Sequence, residues 1–494
     1  MNDYNKYSVR RDNKRKKRKN SIIAGLVFAA IFITALIIVI NVASGGGKKN
    51  TDDPAIASVT SQDVSQQSES NASEGNENPD KSNGDVISQA EALAVQYDYD
   101  GAIELLQKAE DSETNAEISS KIEEYKQKKE SLVATAPQNV THVFFHSLIV
   151  DPKKGFSLTG NTSWDRLTPG FCQWMTTVYE FDKMMEQMYA NDYVLVSLYD
   201  MVDITKDADG TEHISAKNIY LPPGKTPFVM SIDDVSYYHS YDGRGCASKM
   251  IVGDDGRPTC EYVDADGKTL VGAYDVVPRL DDFLDKHPDF SYKGAKGTIA
   301  LTGYNGILGY RTDPCYRDKI EDDLLDDQIA WLEEHPDFDW NKECEEAKKV
   351  AKAIKDDGWT FASHTWGHIR IGDSEIERIQ TDTGKWLEGV APLVGDTDII
   401  IFAHGQDLAS WDEDYAETDK FKFLKSKGFS IFCNVDSSRY FVQIEDEFLR
   451  MGRRNLDGLR LWQAVYNDKD YLSDLFDPKT VIDPDRPTDA SLYQ

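Results

Sequence analysis

From about residue 136 onward, short apolar runs alternate with stretches of helical period. This alternation restricts the possible folds more than any other feature of the chain. Strand-like runs occur at His142–Leu148, Tyr193–Leu198, Pro227–Ile232, Gly297–Leu301, Thr360–Ser363, Thr397–Ala403 and Phe429–Asn434. Between them lie helical stretches such as Val178–Ala190, Tyr274–Lys286 and Cys344–Asp356. Strands separated by helices predict an α/β fold with a mainly parallel sheet or barrel, whose chemistry sits at the carboxyl ends of the strands. The polar residues with chemical potential fall at such ends: His146, Asp233-Asp234, His364 with His368, and His404.

His364 and His368 are four residues apart in Ser363-His364-Thr365-Trp366-Gly367-His368. On a helical turn this spacing puts both imidazoles on one face, close enough to grip one divalent cation. Two imidazoles and one carboxylate, with positions left open to water, make a hydrolytic metal centre. Asp234 could supply the carboxylate and Asp233 a base. In a chain with 86 acidic residues an Asp-Asp pair alone says little, and the weight comes from its place at a strand end together with the His pair. A zinc protease is excluded, because its His-Glu-x-x-His motif needs Glu where Thr365 stands. Trp366 could wall a sugar site, although packing is its default role.

Over roughly Ala136 to Asp436 these motifs resemble the polysaccharide deacetylases of the NodB-homology type, carbohydrate esterase family 4. The family's Thr-Phe-Asp-Asp-Gly is similar to Ser231-Ile232-Asp233-Asp234-Val235, and its His-Ser/Thr-x-x-His is matched by His364 through His368. The resemblance implies an incomplete, seven-stranded (β/α) barrel that removes acetyl groups from N-acetylated sugars with a divalent metal. It implies Asp233 as base and Asp234, His364 and His368 as metal ligands. The third motif normally brings an Arg that orients the catalytic Asp, but Ile401–Asp407 contains neither Arg nor Pro. The Leu-x-His motif that carries the usual acid is absent, since no His follows His404, and the fourth motif is represented by Asp436 without its Trp. His404 or His146 is left to protonate the departing amine.

The remainder frames this domain. Residues 1–20 carry nine Lys/Arg against Asp3 and Asp12, and lead into the uncharged apolar run Ser21–Ala43. About 20 such residues span a bilayer, which is longer than a secretory signal core, and the basic flank predicts a cytoplasmic N-terminus. The expected order is a cytoplasmic tail (1–20), a transmembrane helix (21–43), a polar disordered linker (44–85), a helical hairpin (86–135) and the barrel with a C-terminal extension (136–494). A net charge of −31 argues against a nucleic-acid partner. Six Cys on the outer side would permit disulfides, Cys246–Cys260 first. Tyr237–Gly272 reads as a long Gly- and Asp-rich loop able to cover the cleft.

These features predict a single-pass, extracellular, metal-dependent polysaccharide N-deacetylase acting on an acetylated cell-envelope glycan. Zn²⁺ is the first choice of metal, with Co²⁺, Ni²⁺ or Mn²⁺ compatible with the same ligands. Two alternatives remain open, a glycan-binding envelope scaffold on a degenerate barrel and an O-acetyl esterase using the same site. The oligomeric state is open as well.

Overall fold

In the computed structural model the described residues are 79–494, apart from 110, 111, 113, 411 and 412. The expected tail, membrane span and most of the linker lie outside them. Among the described residues, no helix is long and apolar enough to cross a membrane.

Seven parallel strands form the core: β1 (Thr141–His146), β2 (Thr226–Asp233), β3 (Thr298–Leu301), β4 (Thr360–Ser363), β5 (Ile399–Ile401), β6 (Ile431–Val435) and β7 (Phe448–Asn455). Each pairs with the next in sequence, and β7 pairs with β1, so the ring closes. The seventh member is a correction to the sequence reading. Tyr193–Leu195 stands outside the ring, paired with Thr226–Phe228 at the start of β2 and bridged to Ser291. Phe448–Asn455, with three arginines in eight residues, does not look like a buried strand, yet it completes the barrel.

Strand alternation sorts the side chains into two environments. Val229, Ala300, Ala362, Ile399, Ile401, Ile431, Cys433, Leu449 and Met451 belong to the cluster that fills the barrel. The alternate set, including Val143, Phe145, Met230, Ile232, Ile299 and Leu301, packs against the surrounding helices. Helix α1 (Val178–Ala190) opens with a Thr177–Glu180 capping box and buries Met184, Met185 and Met188. Helices α2 (Val276–Lys286) and α3 (Trp340–Asp356) contribute Leu280, Val350 and Ile354 to the same cluster. Beyond them, α4 is Ile376–Gly389 and α5 is Gly458–Tyr466. The C-terminal extension is tied back by Arg486, which is fully buried and ion-paired with Glu180 of α1 at 2.5 Å.

Three further expectations change. The helical segment before the barrel consists of three helices, Pro79–Val95, Tyr99–Gln107 and Ala116–Glu130, the first of which begins within the stretch read as linker. Tyr237–Gly272 is not an irregular loop. It holds an antiparallel sheet of Lys249–Val252, Pro258–Val263 and Thr269–Gly272. None of the six Cys forms a disulfide, the suggested Cys246–Cys260 pair included. Their side chains are buried instead, with Cys260, Cys433 and Cys246 in three different apolar clusters.

Candidate metal centre

The carboxyl ends of β1, β2, β4 and β5 bring the sequence-selected residues to one mouth of the barrel. Asp234, His364 and His368 are all buried, and each offers a ligand atom within 4.8 Å of the other two. His368 Nε2 is 3.5 Å from Asp234 Oδ2. Metal–ligand bonds of about 2.1 Å put tetrahedral ligands about 3.4 Å apart, so this edge already has the span that a small divalent ion requires. His364 Nδ1–H donates to the Ile401 carbonyl at 2.8 Å, because a carbonyl can only accept. That bond leaves Nε2 of His364 as the ligand lone pair, the usual outer-shell device of metal-binding histidines. The donor set therefore fits a divalent cation.

The route to this geometry differs from the expected helical turn. The two histidines lie on a tight loop after β4, with Thr365 at φ 62° and His368 at φ 49°. Asp234 and His404 also adopt left-handed backbone, at φ 61° and 60°. Each such non-glycine residue costs about 1–3 kcal/mol and persists only where its surroundings hold it, typically at functional sites. Here Asp382 of α4 holds the loop, its two carboxylate oxygens accepting from the backbone N–H of Trp366 (2.7 Å) and Gly367 (2.9 Å). Burial pushes the Asp382 carboxyl up to about 6 against the lowering effect of those two bonds. Thr365 Oγ1 accepts from Ile369 N–H at 2.9 Å and closes the turn. Trp366 is buried in the apolar core, with the Lys385 ammonium 4.1 Å above its ring, so packing is its role.

An arginine reaches Asp233 from a strand that the sequence reading did not include. Arg453 of β7 is fully buried and grips both oxygens of Asp233, Nη1 to Oδ1 at 2.7 Å and Nη2 to Oδ2 at 3.0 Å. Burial alone would raise the Asp233 carboxyl. The Arg453 charge, then His364, then the hydrogen bonds from Arg453 outweigh it and hold the group well below the usual carboxylate range. Asp234 is also held low, with burial outweighed by His368, His364 and His146 and by the Tyr238 hydrogen bond. Tyr238 O–H donates to Asp234 Oδ1 at 2.7 Å and leaves Oδ2 toward His368. Arg453, Tyr238 and Asp382 escaped the sequence reading. The available signal was three arginines in an otherwise strand-like run.

His146 ends β1, directly across the sheet from Asp233. Its buried Nδ1 has no hydrogen-bond partner, and its ring feels Asp233, Asp234 and Asp457. His404 is placed differently. Its Nε2–H donates to the His368 carbonyl at 3.2 Å, and its ring meets that of His368 at 4.4 Å. Burial, then Arg370, brings its imidazole down to about 4, so it stays neutral at physiological pH. Asp436 is turned to the backbone N–H of Ser438 at 2.7 Å.

No family model matches the chain, and no curated protein matches it. Among solved structures, the Streptococcus pyogenes deacetylase PplD in complex with acetate aligns over 65% of this chain and 93% of its own, at 10% identity and a TM-score of 0.30. A likeness that weak establishes neither family nor activity.

Proposed function

We propose that the chain is a metal-dependent hydrolase that removes N-acetyl groups from an N-acetylhexosamine-containing cell-envelope polysaccharide. In this reading residues 21–43 anchor it in the membrane and the barrel lies outside. The observation that carries the proposal is the pairing of two devices at one barrel mouth. A buried Asp-His-His donor set stands beside a second carboxylate that an arginine keeps ionised.

A bound divalent ion, Zn²⁺ first, would supply Lewis acidity to the acetyl carbonyl and lower the pKa of water toward neutrality. Asp234, His364 and His368 would hold it. Asp233 is committed to the ionised form by Arg453 and has the charge to take the proton of the attacking water. The departing sugar nitrogen needs a proton, and His146 is the better donor of the two histidines. Its Nδ1 is uncommitted, whereas Nε2 of His404 is engaged with the loop that carries His368. Arg453 also removes the main objection raised by the third motif, since the required guanidinium is present on a different strand.

The test is acetate release by the purified full-length chain from N-acetylglucosamine oligomers and from peptidoglycan, with and without added Zn²⁺ or Co²⁺. Metal content is measured in parallel. His364→Ala and His368→Ala are expected to lose the metal, and Asp233→Asn to retain it while losing hydrolysis. Full metal occupancy in either His variant, or an undiminished rate in Asp233→Asn, would refute the assignment. Release confined to O-acetyl esters would move the activity to an esterase.

A further inference from the structure

The loop after β2 and the loop after β3 enclose, together with residues 331–343, a cavity of about 880 Å³. Two aromatic rings link it to the candidate centre. Tyr241 on its wall meets Tyr238 edge-on at 5.6 Å, and Tyr238 is the residue that holds Asp234. Trp331 and Phe338 add apolar surface to its lining. The cavity is built by the Tyr237–Gly272 insertion, whose role the catalytic reading leaves open.

Arg311 lines this cavity and is only 5% exposed. Among the described residues its guanidinium has one hydrogen-bond acceptor, the Tyr237 carbonyl at 2.9 Å, and no carboxylate in ion-pair range. A buried charge without a counter-ion is costly and is normally paired. The acids nearby do not meet that need. Glu343 accepts from the Arg311 backbone N–H at 3.0 Å, Asp264 caps the N–H groups of Asp266 and Lys268, both at 2.9 Å, Asp242 is exposed and pairs with His239 Nδ1 at 3.1 Å, and Glu334 and Asp337 are exposed. Lys249 adds a second cation on the same wall, its Nζ 5.0 Å over the Tyr310 ring.

We propose that this cavity is a subsite for an oxyanion, carboxylate or phosphate, carried by a sugar next to the acetylated one. Arg311 is its anchor and Lys249 its second cation. The inference rests on the polysaccharide reading above and narrows it: the preferred substrate is an acidic glycan, not a neutral chitin-like chain. A guanidinium presents planar, paired donors to such an oxyanion, and the surrounding aromatic walls suit the apolar faces of a sugar ring.

The experiment measures binding apart from turnover. Full-length Asp233→Asn is titrated calorimetrically with three oligosaccharides of equal length. One is neutral N-acetylglucosamine, one bears lactyl carboxylates on alternate sugars, and one bears phosphate monoesters. Preference for an acidic ligand by about tenfold or more, weakening with added salt and lost on Arg311→Gln, is the expected result. Whichever acidic ligand wins identifies the source of the oxyanion. Equal binding of all three, or an acidic preference that survives Arg311→Gln, would overturn the proposal. Should Arg311→Gln fail to fold, Ser248→Trp fills the cavity from a partly buried wall position and must abolish the preference in its place. Acidic preference without acetate release by the unsubstituted chain would refute the deacetylase reading alone. Release without acidic preference would refute the subsite alone.

Discussion

Replacing Arg453 by Gln isolates the interaction that keeps Asp233 ionised. The guanidinium is fully buried and makes two charge-assisted bonds to Asp233, one to the Ser231 hydroxyl (3.1 Å) and one to the Asn434 carbonyl (3.3 Å). Removing one partner of a buried pair costs about 3–5 kcal/mol, because the other charge is left uncompensated. The sign of the pH dependence follows from the depressed carboxyl. In the native protein the pair stabilises the fold at every pH above the ordinary carboxylate value, and that stabilisation is lost only as pH falls through the lowered one. In Arg453→Gln, burial becomes the dominant influence on Asp233, and the carboxyl rises above its ordinary range despite His364. The variant should therefore unfold at lower urea concentration at neutral pH, and by a smaller margin in mild acid, where Asp233 can take up a proton. Under the proposed function, hydrolysis by the variant should acquire an acid limb that the native chain lacks, since the base must be ionised to act. Arg453→Lys keeps the charge without the paired geometry and should fall between the two. Urea denaturation at two pH values and acetate release across the range are the measurements. A variant of native stability with an unchanged pH–rate profile would refute the role given to Arg453.

Asp382→Ala should leave the ligands in place but free the loop that carries them, and Zn²⁺ affinity measured by competition with a chelator should fall by about 10–100-fold; unchanged affinity would make Asp382 a packing residue only. His146→Gln should lower acetate release from an amide substrate by about 10²–10⁴-fold and spare an activated aryl acetate, whose leaving group needs no proton. His404→Gln can still donate to the His368 carbonyl and should change both rates by less than about tenfold; the reverse pattern would exchange the two histidines.

The fold was legible because closed parallel sheets write themselves as apolar runs at regular intervals. Six of the seven ring strands stand out as such runs. β7 does not, because its inward residues change from Leu449 and Met451 to Arg453, while Arg450 and Arg454 find their own partly buried partners in Asp407 and Asp474. Apolarity marks a buried strand only where burial is not offset by ion pairs. The donor set was legible from residue type and order, since Asp234, His364 and His368 stand at strand ends. The backbone that assembles it was not. Spacing of four matches one helical turn, and nothing in His364-Thr365-Trp366-Gly367-His368 announces two left-handed residues held by a carboxylate from α4. Disulfides were misjudged because cysteine parity and compartment were weighed without the apolar clusters that the side chains in fact enter.

Arg453 shows how a buried Asp–Arg pair forms between strands that are not neighbours in the ring. In a closed barrel every strand delivers alternate side chains into one shared interior, stacked in layers. β7 is two strands from β2 around the ring, with β1 between them, and Arg453 is in register with His142 of β1. His142 Nε2 and Arg453 Nη1 both reach the Ser231 hydroxyl, at 3.0 and 3.1 Å, in the layer beneath Asp233. The fork of Arg453 then extends upward to the carboxylate. The pair thus rests on Arg453 pointing into this layer within reach of Asp233, at 2.7 and 3.0 Å. The absence of an arginine from Ile401–Asp407 therefore does not leave Asp233 unpaired, because β7 supplies Arg453 to the same layer.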